Sequence, residues 1–173
     1  MEALNVGILT VSDRVMSGEY EDLSGPSIRN YLNENLKSNW EAKYIVVRDD
    51  FYEIKKALMQ LTGKYRCSLV LTTGGTGPAP RDITPEATES VCGRILPGFG
   101  ELMRSESLKT VPTAILSRQI AGIRGSSLII NLPGKPESIE VCLSAVFPAV
   151  PDCLKLIGGL HIETNDDNTK IYH

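Results

Sequence analysis

A three-layer α/β architecture, an open and mostly parallel sheet with helices on both faces, follows from two features of this sequence. Short apolar runs rich in β-branched residues alternate with stretches whose apolar residues recur at helical spacing, and each run ends in polar or glycine-containing residues. Runs this short are strands rather than buried helices, and strands apolar along their whole length must be covered on both faces.

Leu4–Val11 (LNVGILTV) is the first buried strand, bounded by Ser12-Asp13-Arg14. Ser17 to Gly25 is polar, holds Gly18 and Gly25, and reads as a loop. Pro26 suits a first helical position, and Ile28, Tyr31, Leu32 and Leu36 form one apolar face until Lys37. Ala42–Val47 is the second strand, followed by Asp49 and Asp50 at a helix start and by Phe51, Ile54, Leu58 and Leu61 as its stripe. Cys67–Thr72 is the third strand; a glycine loop follows it, with a helix opening near Pro85-Glu86. Ser127–Leu132 (SLIINL) is a further buried strand, ended by Pro133-Gly134 and followed by a helix from about Pro136.

Ile139, Leu143, Val146, Val150, Leu154 and Ile157 continue a loose helical repeat that Pro148 and Pro151 kink or split. After Gly158-Gly159 the chain is polar and nonperiodic, so the expected organisation is one domain over residues 1–158 and a tail, 159–173, that is poorly ordered unless a partner holds it.

The 173 residues suffice for one sizeable core, and 42% hydrophobic with 23% charged residues is the balance of a folded globular chain. A net charge of -3 gives no electrostatic reason to expect nucleic acid or an anionic membrane as partner, so any bound anion must be held by local donors. Cys67, Cys92, Cys142 and Cys153 are widely spaced in apolar stretches, the setting of packed thiols rather than of disulfides or zinc ligands. Met1 to Val11 lacks the pattern of a signal peptide and no stretch has the length of a membrane span, so a cytoplasmic location is expected.

The segments that follow strands, namely Ser12-Asp13-Arg14, Asp49-Asp50, Thr73 to Glu86 and Pro133-Gly134-Lys135-Pro136, should converge on one sheet edge. The richest is TTGGTGPAPRDITPEA, Thr72–Ala87. Gly74, Gly75 and Gly77 let backbone N–H groups approach a phosphate closely, with Thr73 and Thr76 between and beside them. It lacks the Lys-Ser/Thr pair of a Walker loop and the spacing of a dinucleotide fingerprint. Three glycines after a strand are equally compatible with a plain tight turn.

Arg81 can fork onto phosphate oxygens, and Asp82 with Asp49, from a different strand end, could share one metal. Each also has an ordinary structural reading: Asp49 as a helix N-cap, Asp82 as a partner of Arg81, Asp13-Arg14 as a solvated pair. Pro133-Gly134 can present donors at a helix start or simply begin that helix. Ser117-Arg118 and Ala121-Gly122-Ile123-Arg124-Gly125 could bind phosphate or merely connect elements. His161 and His173 fall in the tail and are assigned no catalytic role, and Trp40 is read as packing.

TTGGTGPAPRDITPEA, together with SDR at Ser12–Arg14, PGFGE at Pro97–Glu101, SR and AGIRG across Ser117–Gly125, and LPGKP at Leu132–Pro136, closely resembles the molybdopterin adenylyltransferases. This is the MogA family, related to the amino-terminal domain of gephyrin, and the resemblance spans roughly residues 4 to 158.

The resemblance implies a molybdenum-cofactor-binding-protein-like fold and transfer of AMP from ATP, the co-substrate, to the terminal phosphate of molybdopterin, with Mg²⁺. It implies Asp49 and Asp82 as catalytic or metal-positioning residues, and Gly74, Gly75, Thr76, Gly77 and Arg81 as phosphate-binding, with Pro133 and Gly134 bordering the nucleotide. Ser12, Asp13, Arg14, Thr73, Ser117 and Arg118 would form the pterin and phosphate pocket. A homotrimer and hand-over of product to a molybdenum-insertion enzyme are also implied.

Two local departures stand out: Arg48-Asp49-Asp50 leaves the choice between Asp49 and Asp50 open, with Asp49 preferred, and the segment between Cys142 and Cys153 looks shorter than in some bacterial relatives. Thr76, Arg81 and Asp82 favour this branch over the molybdenum-insertion and competence-damage-type relatives. A MoaB-type relative, or a nonenzymatic pterin carrier or scaffold, is the competing reading.

Overall fold

The computed structural model describes residues 3–165. Met1, Glu2 and the stretch from 166 to His173 lie outside the described residues.

Six strands form one sheet: β1 (Leu4–Val11), β2 (Trp40–Val47), β3 (Leu69–Thr73), β4 (Arg94–Ile95), β5 (Ala121–Arg124) and β6 (Ser127–Leu132), in the order β2-β1-β3-β6-β5-β4. The first four in that order run parallel, while β5 is antiparallel to both β6 and β4. Helices α1 (Asp13–Met16), α2 (Ser24–Asn35), α3 (Phe51–Met59), α4 (Thr84–Val91), α5 (Pro97–Leu108), α6 (Pro136–Val146) and α7 (Val150–Leu156) complete the fold.

The two-residue period of the strands sorts the core into two layers. Val6, Ile8, Leu69, Leu71, Leu128 and Ile130 pack with α2, α5, α6 and α7 on one face. Leu9, Val11, Val70 and Ile129 pack with α3 and α4 on the other. Cys67 and Cys142 are buried as free thiols, in keeping with a packing role.

Several boundaries differ from expectation. The α2 helix starts at Ser24, ahead of Pro26, because the Asp22 carboxylate accepts the Ser24 and Gly25 N–H groups at 3.1 and 3.0 Å and satisfies the first turn. Residues 13–16 are a helical turn rather than loop, capped by the Ser12 hydroxyl, which accepts from Val15 N. The α5 helix was not expected, and its apolar signal is thin: Gly100 and Met103 are its buried residues.

AGIR, anticipated as a connector or phosphate binder, is strand β5, joined to β6 through Gly125 at φ +57°. The repeat after Ile139 does split, into α6, a tight turn over Phe147–Ala149 and α7.

The start of the tail is held by the chain itself, and the rest of the expected tail, 166–173, lies outside the described residues. Ile162 is 2% exposed, Lys37 N donates to Glu163 O at 2.9 Å, and Asn165 N donates to Asn35 O at 3.0 Å. Strand pairing of Leu36 with Thr164 supplies order that polarity alone did not forecast. Among the described residues no helix is long and apolar enough to cross a membrane.

Candidate active site

In the sheet order, β1 and β3 are neighbours whose onward connections leave in opposite directions, which opens a crevice at their carboxyl ends. Ser12, Asp49, Gly74 and Pro133 follow β1, β2, β3 and β6, so that edge collects the segments that were expected to meet.

Two cavities lie there. One, of about 470 Å³, is lined by Ser12–Arg14, Tyr20–Ser24, Asp49, Thr73–Gly75 and Asp82. The other, of about 410 Å³, is lined by Thr76, Gly77, Arg104, Ser117, Lys135 and Ser138 among others. Gly134 lines both, and the glycine loop passes from the first to the second, forming the ridge between them.

Gly74 and Gly75 have φ of +94° and +68°, a region costly for residues with a Cβ. The loop is braced from below: Thr73 Oγ1 donates to Pro133 O at 2.7 Å, Thr84 Oγ1 to Gly74 O at 2.9 Å, and Thr84 N to Gly75 O at 3.0 Å. Buried Asn131 adds bonds from Nδ2 to the Thr72 and Thr88 hydroxyls at 3.0 and 2.9 Å. Among the described residues, the N–H groups of Gly75, Thr76 and Gly77 have no acceptor. Such a run of adjacent donors is an anion cradle.

Asp50, not Asp49, caps α3: its Oδ1 accepts Glu53 N at 2.9 Å. Asp49 is left to face the first cavity. There it is locked to Asp13 by two reciprocal bonds, Asp13 N to Asp49 Oδ2 at 2.9 Å and Asp49 N to Asp13 Oδ1 at 3.1 Å. Burial, and after it the charges of Asp13 and Asp82, push the Asp49 carboxyl above its ordinary value despite the bond from Asp13 N.

Arg81 forks onto Asp13, Nε to Oδ2 at 2.6 Å and Nη2 to Oδ1 at 2.9 Å, and this holds the Asp13 carboxyl below its ordinary range. Asp82 does not pair with Arg81; its Oδ2 accepts Ala79 N at 3.0 Å.

Arg14 stands at the mouth of the same cavity against Tyr20. Ser117 instead lines the second cavity, so Ser12–Arg14 and Thr73 sit on the opposite side of the ridge from it. The Arg118 guanidinium is committed to the loop itself, with Nε to Gly77 O at 2.8 Å, Nη2 to Asp82 O at 2.6 Å, and an ion pair with Glu86. Arg118→Lys, which cannot reproduce this fork, is expected to cost about 1 kcal/mol and lower the unfolding midpoint by about 2–4 °C. Calorimetry checks this, and an unchanged midpoint would show that the fork does not brace the loop.

Asp22 and Ser24 lie in the stretch Ser17 to Gly25, which its polar composition marks as loop. Asp22 also accepts from Thr10 Oγ1 at 2.8 Å and from the Tyr44 hydroxyl, whose pKa burial and this carboxylate push up to about 12. Ser24 Oγ donates to Gly134 O at 2.8 Å, tying α2 to the ridge. An acidic residue two positions before Ser-Gly-Pro is a helix-start signal that could have found them.

Comparison with known proteins adds a second line of observation. Residues 7–152 match the family model described as "Probable molybdopterin binding domain". The chain is 57% identical to a molybdopterin adenylyltransferase of Helicobacter pylori, covering 99% of this chain and 98% of that one. It is 43% identical to the Escherichia coli protein of the same name, over 95% of this chain and 90% of that one. A solved structure of the molybdopterin biosynthesis enzyme MoaB from Thermus thermophilus superposes with a TM-score of 0.84 at 43% identity, over 92% of this chain and 99% of that one.

Proposed function

This chain belongs to the molybdopterin-binding family, alongside the molybdopterin adenylyltransferases, and from that premise we propose that it transfers AMP from ATP to the terminal phosphate of molybdopterin. A phosphate oxygen of molybdopterin attacks the α-phosphorus of ATP, the bond to the bridging oxygen breaks, and pyrophosphate leaves. Two anions must therefore be held against each other, so positioning and charge neutralisation supply most of the catalysis and no covalent enzyme intermediate is needed.

The observation that carries this reading is the pair of cavities meeting at one ridge of unpartnered backbone donors, Gly75 to Gly77. Each cavity has the size of a small-ligand site. The ridge offers neutral donors to the reacting phosphates, Gly134 lies against both cavities, and Arg81 can move from Asp13 onto a phosphate because its side chain is 65% exposed.

Mg²⁺ fits the donor set. Among the described residues no group of three or more His, Cys, Asp or Glu could hold a metal unaided. Asp49 and Asp82 together supply two carboxylates at the ridge, the small complement by which Mg²⁺ is held when waters and substrate phosphates complete its shell. When bound, the ion would neutralise charge on the transferring phosphoryl group.

Incubating the purified protein with molybdopterin and Mg-ATP is expected to yield the adenylylated pterin by mass, with pyrophosphate. Its absence while a control adenylyltransferase is active would sink the proposal. A non-enzymatic carrier would instead bind molybdopterin yet release no pyrophosphate. A cytoplasmic homotrimer that passes its product to a molybdenum-insertion enzyme completes the proposal, and sedimentation showing monomer alone would reject the trimer.

A further inference from the structure

Both substrates of the proposed reaction carry a fused nitrogen heterocycle that includes a planar, amino-bearing pyrimidine ring. Among the described residues lining the two cavities, one side chain is aromatic: Tyr20, in the first cavity. The residue is 57% exposed.

It is nevertheless fixed in place. Glu19 N and Tyr20 N both donate to Arg14 O, at 2.9 and 3.2 Å. Arg14 Nη1 donates to the Tyr20 hydroxyl at 3.3 Å, and the guanidinium carbon stands 5.2 Å from the ring centroid. Two residues on, the carboxylate of Asp22 is held by Thr10, Tyr44 and the start of α2. An exposed ring held in position by cation–π contact and backbone bonds has already lost the freedom that a ligand would otherwise have to take from it.

We propose that Tyr20, backed by Arg14, is a stacking platform for the amino-bearing fused heterocycle of a substrate in the first cavity. Glu21, which lines the same cavity, is the acceptor for that amino group. Its carboxylate has no hydrogen-bond or ion-pair partner among the described residues, unlike Asp13, which is forked by Arg81. The assignment rests on the adenylylation reading and deepens it. Its chemistry is shared by pterin and adenine, since each has a π-face and an amino donor.

The test is calorimetric titration of the full chain with two probes, pterin-6-carboxylate and an ATP analogue carrying an α,β-methylene bridge, with Mg²⁺. Tyr20→Ala is expected to weaken one probe about tenfold or more, the range of base stacking on an aromatic side chain. Tyr20→Phe, which keeps the ring, should retain most of the affinity, and Glu21→Ala should weaken the same probe as Tyr20→Ala. Which probe responds identifies the source of the ring.

Unchanged affinity for both probes in Tyr20→Ala, with wild type releasing pyrophosphate, overturns the platform and leaves the adenylylation reading standing. Equal losses in Tyr20→Phe and Tyr20→Ala also overturn it, because the hydroxyl rather than the ring would then matter. A wild type that binds neither probe overturns both readings.

Discussion

Asp49→Asn is expected to lower turnover by about a hundredfold or more while leaving the protein at least as stable as wild type at neutral pH. Activity and stability separate because of where the carboxylate lies. Asp49 is half-buried, and after burial itself the charges of Asp13 and Asp82 oppose its ionisation. A carboxyl whose folded pKa exceeds its unfolded value costs stability at neutral pH, and the cost disappears as the pH falls through the raised folded value.

Asn removes that charge, and its side-chain oxygen can still accept from Asp13 N as Asp49 Oδ2 does at 2.9 Å. The midpoint advantage of Asp49→Asn should therefore shrink as the pH is lowered through the folded pKa of Asp49. Asp13 behaves oppositely. Arg81 lowers its pKa, so its contribution is present above the unfolded value and lost as the pH falls through the depressed folded one. Pyrophosphate release and thermal melts across pH check both halves. Wild-type turnover in Asp49→Asn would remove Asp49 from the chemistry, and a lower neutral-pH midpoint would contradict the electrostatic account.

The second large effect is on the ridge. Gly74→Ala should destabilise the fold by about 3 kcal/mol, a strained backbone and a clash combined, and lower the unfolding midpoint by about 6–12 °C. A Cβ on Gly74 would stand 2.2 Å from the carbonyl oxygen of Val11, in the neighbouring strand, at a φ of +94°. That oxygen belongs to sheet backbone and has nowhere to go.

Gly75→Ala meets a softer obstacle, the Thr84 hydroxyl at 2.2 Å, which can rotate once its bond to Gly74 O is given up. The expected order of midpoints is wild type, then Gly75→Ala, then Gly74→Ala. Both variants should lose phosphate-dependent activity. A Gly74→Ala protein melting with wild type would show that the loop relaxes away from β1.

Residue pattern carried the frame of the molecule. The short apolar runs marked β1, β3 and β6 as strands covered on both faces, and the structure puts Ile8, Leu71 and Ile130 on one face and Leu9, Val70 and Ile129 on the other. Where pattern was weak, expectation failed: α5 buries too few residues to leave a stripe, and β4 and β5 are too short to form an apolar run. The polar segment 159–165 read as loose because its order comes from strand pairing with Leu36 and from Ile162 entering the core. Among the candidate site residues, the glycine loop and the two aspartates were visible from their places after strands, and the family resemblance, not spacing, implied the aspartates' role. Tyr20 was not visible, because nothing adjacent in the chain shows what it faces, and Asp22 and Ser24 carry only a helix-start signal, which does not reveal their contacts with Tyr44 and Gly134.

The sequence by itself determined the parallel α/β frame, the position of the glycine loop after β3 and the family. Only the tertiary structure decided that Asp49 locks onto Asp13, that Arg81 pairs with Asp13 rather than Asp82, and that Arg118 braces the loop from the far side. The reason is range. Strand and helix periodicities are set by neighbours a few residues apart, whereas Arg81 and Asp13 are separated by 68 positions and Arg118 and Gly77 by 41. Which charge meets which is fixed only when the sheet brings the strand ends together.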